Sequence, residues 1–574
     1  MNITGNWERR RLSRRDFLAI SGMSATALAL GTQGLLFPSR ALAASYYPSK
    51  LGNPFTLGVA SGDPRSDGVV LWTRLAPTPL SGGGMGRTGD VYVDWEVATD
   101  LSSDGKSLQN IVLSSLQSTQ NGTVAKQNPA VAYATQAHSV HLEVGVDTLK
   151  LPSPKTNYYY RFVVRDSAGT LKYASPIGRT KTTPLPGDTS LTQMKFAFAS
   201  CQEWESGFYQ AYNHMANQEL DCVVFLGDYI YEYGPSTGWP RSYKTSAPKD
   251  LKGYRNRHAE YKTDKYLQEA HRLHPWVCSW DDHEVYNNYA GTVDANRRRD
   301  AAYQAYYEHM PLRPSKVLKG QEWRNIDLYG RVSYGSLAQL CVLDSRQFRT
   351  DQPCYYSVDD CQERFDPSQT LPGSKQEEDL KGWLTPSADP SANYTWNVIA
   401  NQVLMMEYDH TAGGGESYYM DGWDGYVACR NRLFKHLADA EVPNIVAITG
   451  DMHASFAAEL KFNPEDPNRS FDPNISGSVT IGTEFLGTSV SSWLTDWWRD
   501  AWTNARPDNP HVKYLDTNPG GYVLCTLTNG TDASWQSDYF RAPYYEEDPS
   551  KNPDYLRVDK IKSATVQNGV LSLL

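Results

Sequence analysis

The chain has no surplus of positive charge. Across 574 residues, 55 Lys and Arg stand against 65 Asp and Glu, for a formal net charge of −10. That balance excludes a protein that coats nucleic acid through its own charge, and no specific nucleic-acid partner is expected. Phosphate esters stay open as substrates, because bound cations invert a local potential. Long apolar runs are missing beyond the first forty or so residues, so the mature protein is expected to be soluble, with no stable membrane span. Internal repeats and low-complexity tracts are absent as well. Cysteine is sparse, with eight in all, and the eight divide by context. Cys354 and Cys361 close a short polar loop and are the best disulfide pair for an oxidising compartment. Cys222, Cys278, Cys341 and Cys525 lie in or beside apolar runs and read as buried thiols.

What is present begins with an export address. Ser13-Arg14-Arg15-Asp16-Phe17-Leu18 is a twin-arginine pattern, followed by a weakly apolar stretch and an A-x-A cleavage signal at Ala41-Leu42-Ala43. Residues 1–43 read as a Tat signal peptide, which makes the Tat export machinery a partner and the location secreted or periplasmic. An N-terminal membrane anchor is the competing reading, and the Gly, Ser and Thr that interrupt the run make it a poor bilayer span. Tat passengers cross folded, often with a metal or cofactor already loaded.

Length implies two or more domains. Residues 50–187 read as all-β. Gly68–Thr73, Val91–Val97 and Tyr158–Val164 are rich in β-formers and separated by Gly, Asn, Ser and Pro clusters, as in an immunoglobulin- or fibronectin-like sandwich. After a Pro-rich linker at 182–187 the pattern changes. Strand-like runs at 196–200, 221–226, 276–280, 337–343, 397–400 and 445–449 alternate with helical patterns near 208–219, 258–272, 298–309, 375–383 and 427–440. Alternation of this kind predicts a layered α/β domain over 190–545. Residues 546–574 are a tail or a closing segment.

The strand-like runs end in metal-ligand side chains. Cys201 follows the first. Asp228 and Tyr231 follow the second, Asp281, Asp282 and His283 the third, Asn401 a later one, and Asp451 and His453 the last. Ligands collect beyond the carboxyl ends of strands in open α/β sheets, so these side chains can meet on one rim. Asp228 has two oxygens and can bridge two cations. A Tyr231 phenolate and a Cys201 thiolate favour a strongly polarising ion such as Fe³⁺, with His453 completing the set. Asp282, Asn401 and Asp451 are hard oxygen donors which, with Asp228, suit Ca²⁺, Mn²⁺ or Mg²⁺. His283 is placed to protonate a leaving alkoxide. Each residue also has an ordinary reading: Asp228 and the Asp281-Asp282 pair as turns, Tyr231 as a loop aromatic, Cys201 as a buried thiol, His283 as a satisfied histidine. Their occurrence in this order is what favours the metal site.

Several segments carry a resemblance: FAFASCQEWESGFYQAYNHMA (196–216), VVFLGDYIYEYG (223–234), WDDHEVYNNYA (280–290), RRDAAYQAYYEHMPLR (298–313), WNVIANQ (396–402), TGDMHAS (449–455) and TEFLGTSVSS (483–492), with NPFTLGVASGDPRSDGVVLWTRL (53–75) near the N-terminus. The set resembles the calcineurin-like metallophosphoesterases, which include purple acid phosphatases, and within them the PhoD-type alkaline phosphatases. Relative to the wider superfamily, Cys201 stands where an Asp is usual, Asp282 replaces an Asn, Asn401 sits near the place of a metal His (with Gln402 adjacent), and Asp451 replaces the first His of a Gly-His-x-His. The resemblance implies Ca²⁺ beside Fe³⁺, with Asp281 available to an additional Ca²⁺.

The resulting expectation is a secreted phosphoesterase that hydrolyses phosphate mono- and diesters by metal-activated hydroxide attack, in the manner of alkaline phosphatase D. Its substrates would be small phosphate esters or phospholipid- or teichoic-type diesters. A dedicated phosphodiesterase with phospholipase D-like specificity is the first alternative. A non-catalytic exported binding protein with a structural metal site is the second.

Overall fold

The structure is a computed structural model that describes residues 45–86, 88–116, 126–145, 149–291, 298–318, 323, 326–356, 361–389, 392–463, 478–545 and 557–574. The twin-arginine segment lies outside these residues. Two stacked sheets dominate. The ten-stranded sheet runs, in spatial order, Val570–Leu573, Asp559–Gln567, Ser534–Arg541, Gly521–Thr528, Gln193–Ala199, Cys222–Leu226, Pro275–Ser279, Val59–Arg65, Gly68–Arg74 and Ser139–Glu143. The seven-stranded sheet runs Gly330–Tyr334, Ala338–Val342, Trp396–Ala400, Ile445–Thr449, Val479–Leu486, Ser455–Phe462 and Val512–Asp516. A six-stranded sheet from the N-terminal segment is built around Val91–Leu101 and Asn157–Arg165.

The period-2 geometry of strands explains the layering. In Gln193–Ala199, Phe196 and Phe198 face the second sheet, whereas Ala197 and Ala199 face the helices. In Ile445–Thr449, Val446 and Ile448 join the core between the sheets, and Ile445 and Ala447 join the core on the far side. Runs that are apolar on both faces must be covered on both faces, and helices do this outside each sheet. Gln210–Ala216, Leu251–Tyr261, Lys265–Leu273 and Arg299–His309 contribute to the outer core of the first sheet, and Ser374–Leu384, Val427–Asp439 and Asp496–Ala505 to that of the second. Trp535 ties the two sheets together, with Phe196, Trp396 and Phe485 rings 5.7, 5.6 and 6.0 Å away.

The helical pattern at 258–272 resolves into two helices. The first ends at Tyr261, and Asp264 caps the second, accepting from the backbone N–H groups of Tyr266 at 2.9 Å and Leu267 at 3.1 Å. The N-terminal segment contributes Val59–Arg65, Gly68–Arg74 and Ser139–Glu143 to the large sheet, where Val59–Arg65 pairs in parallel with Pro275–Ser279. Asp559–Gln567 and Val570–Leu573 extend the opposite edge. Cys354 and Cys361 form a disulfide, and the six remaining cysteines are buried thiols. Among the described residues no helix is long and apolar enough to cross a membrane.

Candidate metal centre

Parallel strands Gln193–Ala199, Cys222–Leu226 and Pro275–Ser279 share a carboxyl-end rim, as do Trp396–Ala400 and Ile445–Thr449 in the facing sheet. The turns leaving that rim are tight. Cys201, Asp228, Asp451 and His453 all have left-handed backbones, with φ of 58°, 56°, 64° and 54°. Such conformations cost on the order of 1–3 kcal/mol each for a residue with a Cβ, and they persist where the surroundings over-determine them. Gly227 makes the Asp228 turn possible: its φ is 105°, and a Cβ there would run into the Asp281 backbone.

Two groups of ligand atoms result. Cys201, Asp228 and His453 offer atoms that all lie within 4.8 Å of one another, and so do Asp228, Asp282 and His283. Asp228 belongs to both. The Tyr231 hydroxyl joins the first group, donating to Asp228 Oδ2 at 2.9 Å and lying 3.3 Å from His453 Nε2. Ser492 Oγ is 2.8 Å from the Tyr231 oxygen. His453 Nδ1 is 2.7 Å from the Trp493 carbonyl, which can only accept. Nδ1 therefore carries the proton, and Nε2 turns its lone pair toward Asp228, Cys201 and Tyr231. Burial, aided by the charge of His283, holds the His453 ring neutral with a pKa of about 4.

Asp282 and Asp451 line the same cavity of about 580 Å³. Asp281 lies beneath it, buried, with Oδ1 accepting from Arg346 Nε. Arg346 also meets Asp421 at 2.7 Å, and Asp282 at 3.7 Å. Asn401 is fully buried and does not line the cavity. Its Nδ2 donates to the Val403 carbonyl, and its Oδ1 accepts from Trp423 Nε1 at 3.1 Å, leaving one lone pair for a cation.

The electrostatics fit cations. Burial, then the charges of Asp282, Asp281 and Glu284, push the Asp228 carboxyl well up, though His283 opposes them. Burial together with Asp281 and Asp421 does the same to Asp451. Burial and the Asp228 charge raise both the Cys201 thiol and the Tyr231 phenol. One oxygen of each of Asp281, Asp282 and Asp451 accepts no hydrogen bond although buried. A donor set of carboxylates, phenol, thiol and imidazole with unsatisfied oxygens matches a pair of metal ions.

His283 is held differently. Its Nδ1 is 2.8 Å from Glu232 Oε2, so Nδ1–H donates there and Nε2 is left for the cavity. Burial alone would depress its pKa, but Asp282, Glu232 and Asp228 outweigh burial and raise it well above the ordinary histidine range. Tyr231 stacks on the ring at a centroid distance of 4.2 Å.

Sequence reasoning did not assign Glu232, Glu284, Arg346, Asp421 or Ser492. Glu284 accepts from the backbone N–H groups of Asp228, Tyr229 and Asp281, pinning two ligand turns together. Glu232 and Glu284 each sit next to an assigned residue, and that adjacency was the available signal. Arg346 and Asp421 carry no local signal.

The fold and the site together fit a phosphoesterase. A family model for the PhoD-like phosphatase matches residues 196–539, and one for its N-terminal domain matches residues 41–184. Alkaline phosphatase D of Bacillus subtilis (strain 168) is 40% identical over 547 residues, which cover 91% of this chain and 85% of that protein. A solved structure of PhoD aligns with a TM-score of 0.77 at 38% identity, covering 92% of this chain and 93% of that one. The chain belongs to the PhoD-like phosphatase family.

Proposed function

We propose that the protein is an exported alkaline phosphatase of the D type, hydrolysing phosphate mono- and diesters at the centre built on Asp228. The observation that carries this reading is that Asp228 belongs to two ligand groups at once. Fe³⁺ would be held by Cys201, Asp228, Tyr231 and His453. Ca²⁺, or Mn²⁺ or Mg²⁺ in its place, would be held by Asp228, Asp282, Asp451 and the remaining lone pair of Asn401. Asp281 keeps one free oxygen for an additional Ca²⁺. Bound there, the cations would supply charge neutralisation for the phosphoryl group and lower the pKa of water.

The chain's own groups do the rest. Trp493 fixes the tautomer of His453 through its carbonyl. Glu232 orients His283, whose Nε2–H is placed to protonate the departing alkoxide. Tyr231 packs against His283 and restricts the tilt of its ring. Residues 1–43 act as the Tat signal, 50–187 as the β domain and 190–545 as the catalytic domain.

Stripping the protein with chelator and restoring Fe³⁺ and Ca²⁺ tests the reading. Phosphate release from p-nitrophenyl phosphate should vanish and return, with metal content tracking activity. Full activity in metal-free protein would refute it.

A further inference from the structure

The cavity is asymmetric in chemistry. Among the described residues that line it there is no Lys or Arg, and Glu203 and Glu205 add carboxylates beyond the ligand cluster. Both are tied into the wall: Glu203 accepts from Tyr243 Oη at 2.7 Å, and Glu205 from Tyr243 N at 3.0 Å. Toward solvent the wall becomes aromatic. Trp239 and Trp493 meet edge to face, with ring centroids 6.0 Å apart, and remain 39% and 44% exposed. Tyr233, 47% exposed, sets its ring 5.3 Å from that of His283. The aromatic rim therefore begins at the residue that faces the leaving group. On the other side it joins the segment whose backbone holds His453.

Resting on the phosphoesterase reading, we infer that Trp239, Trp493 and Tyr233 form a leaving-group subsite for an uncharged alcohol with a flat face, such as a nucleoside or an aryl alcohol. Two physical arguments converge. Exposed indole and phenol faces gain by covering a planar apolar surface, and they do so without hydrogen-bond readout. A leaving group that carries further phosphates would bring negative charge against Glu203 and Glu205, with no Lys or Arg among the described residues of the wall to receive it and His283 committed to the departing oxygen. Nucleoside monophosphates satisfy both conditions, because the departing nucleoside is neutral. Nucleoside triphosphates, cleaved at the terminal phosphate, expel a polyanion and violate the second.

The test compares kcat/KM of the metal-reloaded enzyme for adenosine 5′-monophosphate, 1-naphthyl phosphate, glycerol 2-phosphate and ATP. The first two should exceed glycerol 2-phosphate, and ATP should be the poorest. Trp239→Ala and Trp493→Ala should each lower the ratio of a flat-faced ester to glycerol 2-phosphate about tenfold, the scale of one lost stacking face. A fall for 1-naphthyl phosphate alone assigns the subsite to aryl alcohols. A fall for both esters assigns it to nucleosides as well. Trp493→Ala keeps the carbonyl that anchors His453, and metal content and thermal unfolding measured on both variants report whether the centre is intact. ATP turned over as efficiently as the monophosphate, or ratios unmoved in both variants, overturns the inference while leaving the phosphatase reading standing. No phosphate release from p-nitrophenyl phosphate by metal-loaded parent enzyme sinks both.

Discussion

Replacing Glu232 with Gln separates proton delivery from simple placement. In the parent, a carboxylate oxygen lies 2.8 Å from His283 Nδ1, in a mostly buried pair. A hydrogen bond to a charged group contributes about 1.5–3 kcal/mol, and a neutral one about 0.5–1.5 kcal/mol. Glutamine keeps an acceptor of the same length, so the loss is the difference, about 1–2 kcal/mol. The contact favours the protonated ring, so the same difference makes the acid form about five- to thirtyfold scarcer on the alkaline limb, where His283 is mostly deprotonated, and kcat/KM for esters that need its proton falls there by that factor. The fall should depend on the leaving group. Alkyl phosphates need a proton on the departing oxygen and should show the whole effect. Nitrophenyl phosphate expels a stabilised anion and should show little. The sign of the pH effect follows from the same contact. Glu232 is one of the carboxylates that raise the His283 pKa, so its removal lowers that pKa. The acid form is then lost at a lower pH, and the alkaline limb of the alkyl-ester profile moves toward neutrality. The assay is kcat/KM against leaving group and pH on metal-reloaded protein, with urea unfolding as the control for folding. An equal loss for alkyl and nitrophenyl esters, with no movement of the alkaline limb, would show that Glu232 only holds the loop.

Arg346 lies fully buried between Asp281 and Asp421, so Arg346→Met should destabilise the fold by about 3–5 kcal/mol by leaving buried carboxylates uncompensated; an unchanged urea midpoint and slope would refute this. Tyr231→Phe in the Fe³⁺-loaded protein should abolish visible absorption from an iron–phenolate bond, and retained colour would remove Tyr231 from the ligand set. Lys262 is buried, and burial lowers its pKa from 10.5 to about 7. Between those values the unfolded chain binds a proton that the folded chain does not, so stability rises with pH across that window. Lys262→Met should therefore stabilise the protein most at and below pH 7, with the gain shrinking toward pH 10.5; a gain that does not vary with pH in denaturant titrations would contradict the assignment.

How far the sequence could be read depended on whether a signal was local. Ile445–Thr449 and Cys222–Leu226 are short apolar runs that end in Gly-Asp, and both the strands and the turns could be read directly. Val59–Arg65 could not be read. Its Gly62, Asp63 and Pro64 look like a loop, yet it is a strand that forms a hairpin with Gly68–Arg74 and also pairs in parallel with Pro275–Ser279, far along the chain. Gly62 itself sits where a Cβ would collide with Pro311 and Trp276. The helical pattern read at 258–272 breaks after Tyr261, where Asp264 caps a new helix, and the first helix reaches back to its own capping residue, Asp250. At the centre, the side chains named from strand ends do gather: Cys201, Asp228 and His453 in one group, Asp228, Asp282 and His283 in the other. Their supports escaped notice because they work through tertiary contacts. Arg346 matters only because three aspartates converge on it, and nothing within a few residues of it announces that.

Tyr231 and His453, which touch in the finished centre, are separated by 222 positions along the backbone. A ribosome must therefore complete most of the polypeptide before any ion could find a full set of donors. Cation capture becomes a late checkpoint, reached only by molecules whose two sheets have already come together.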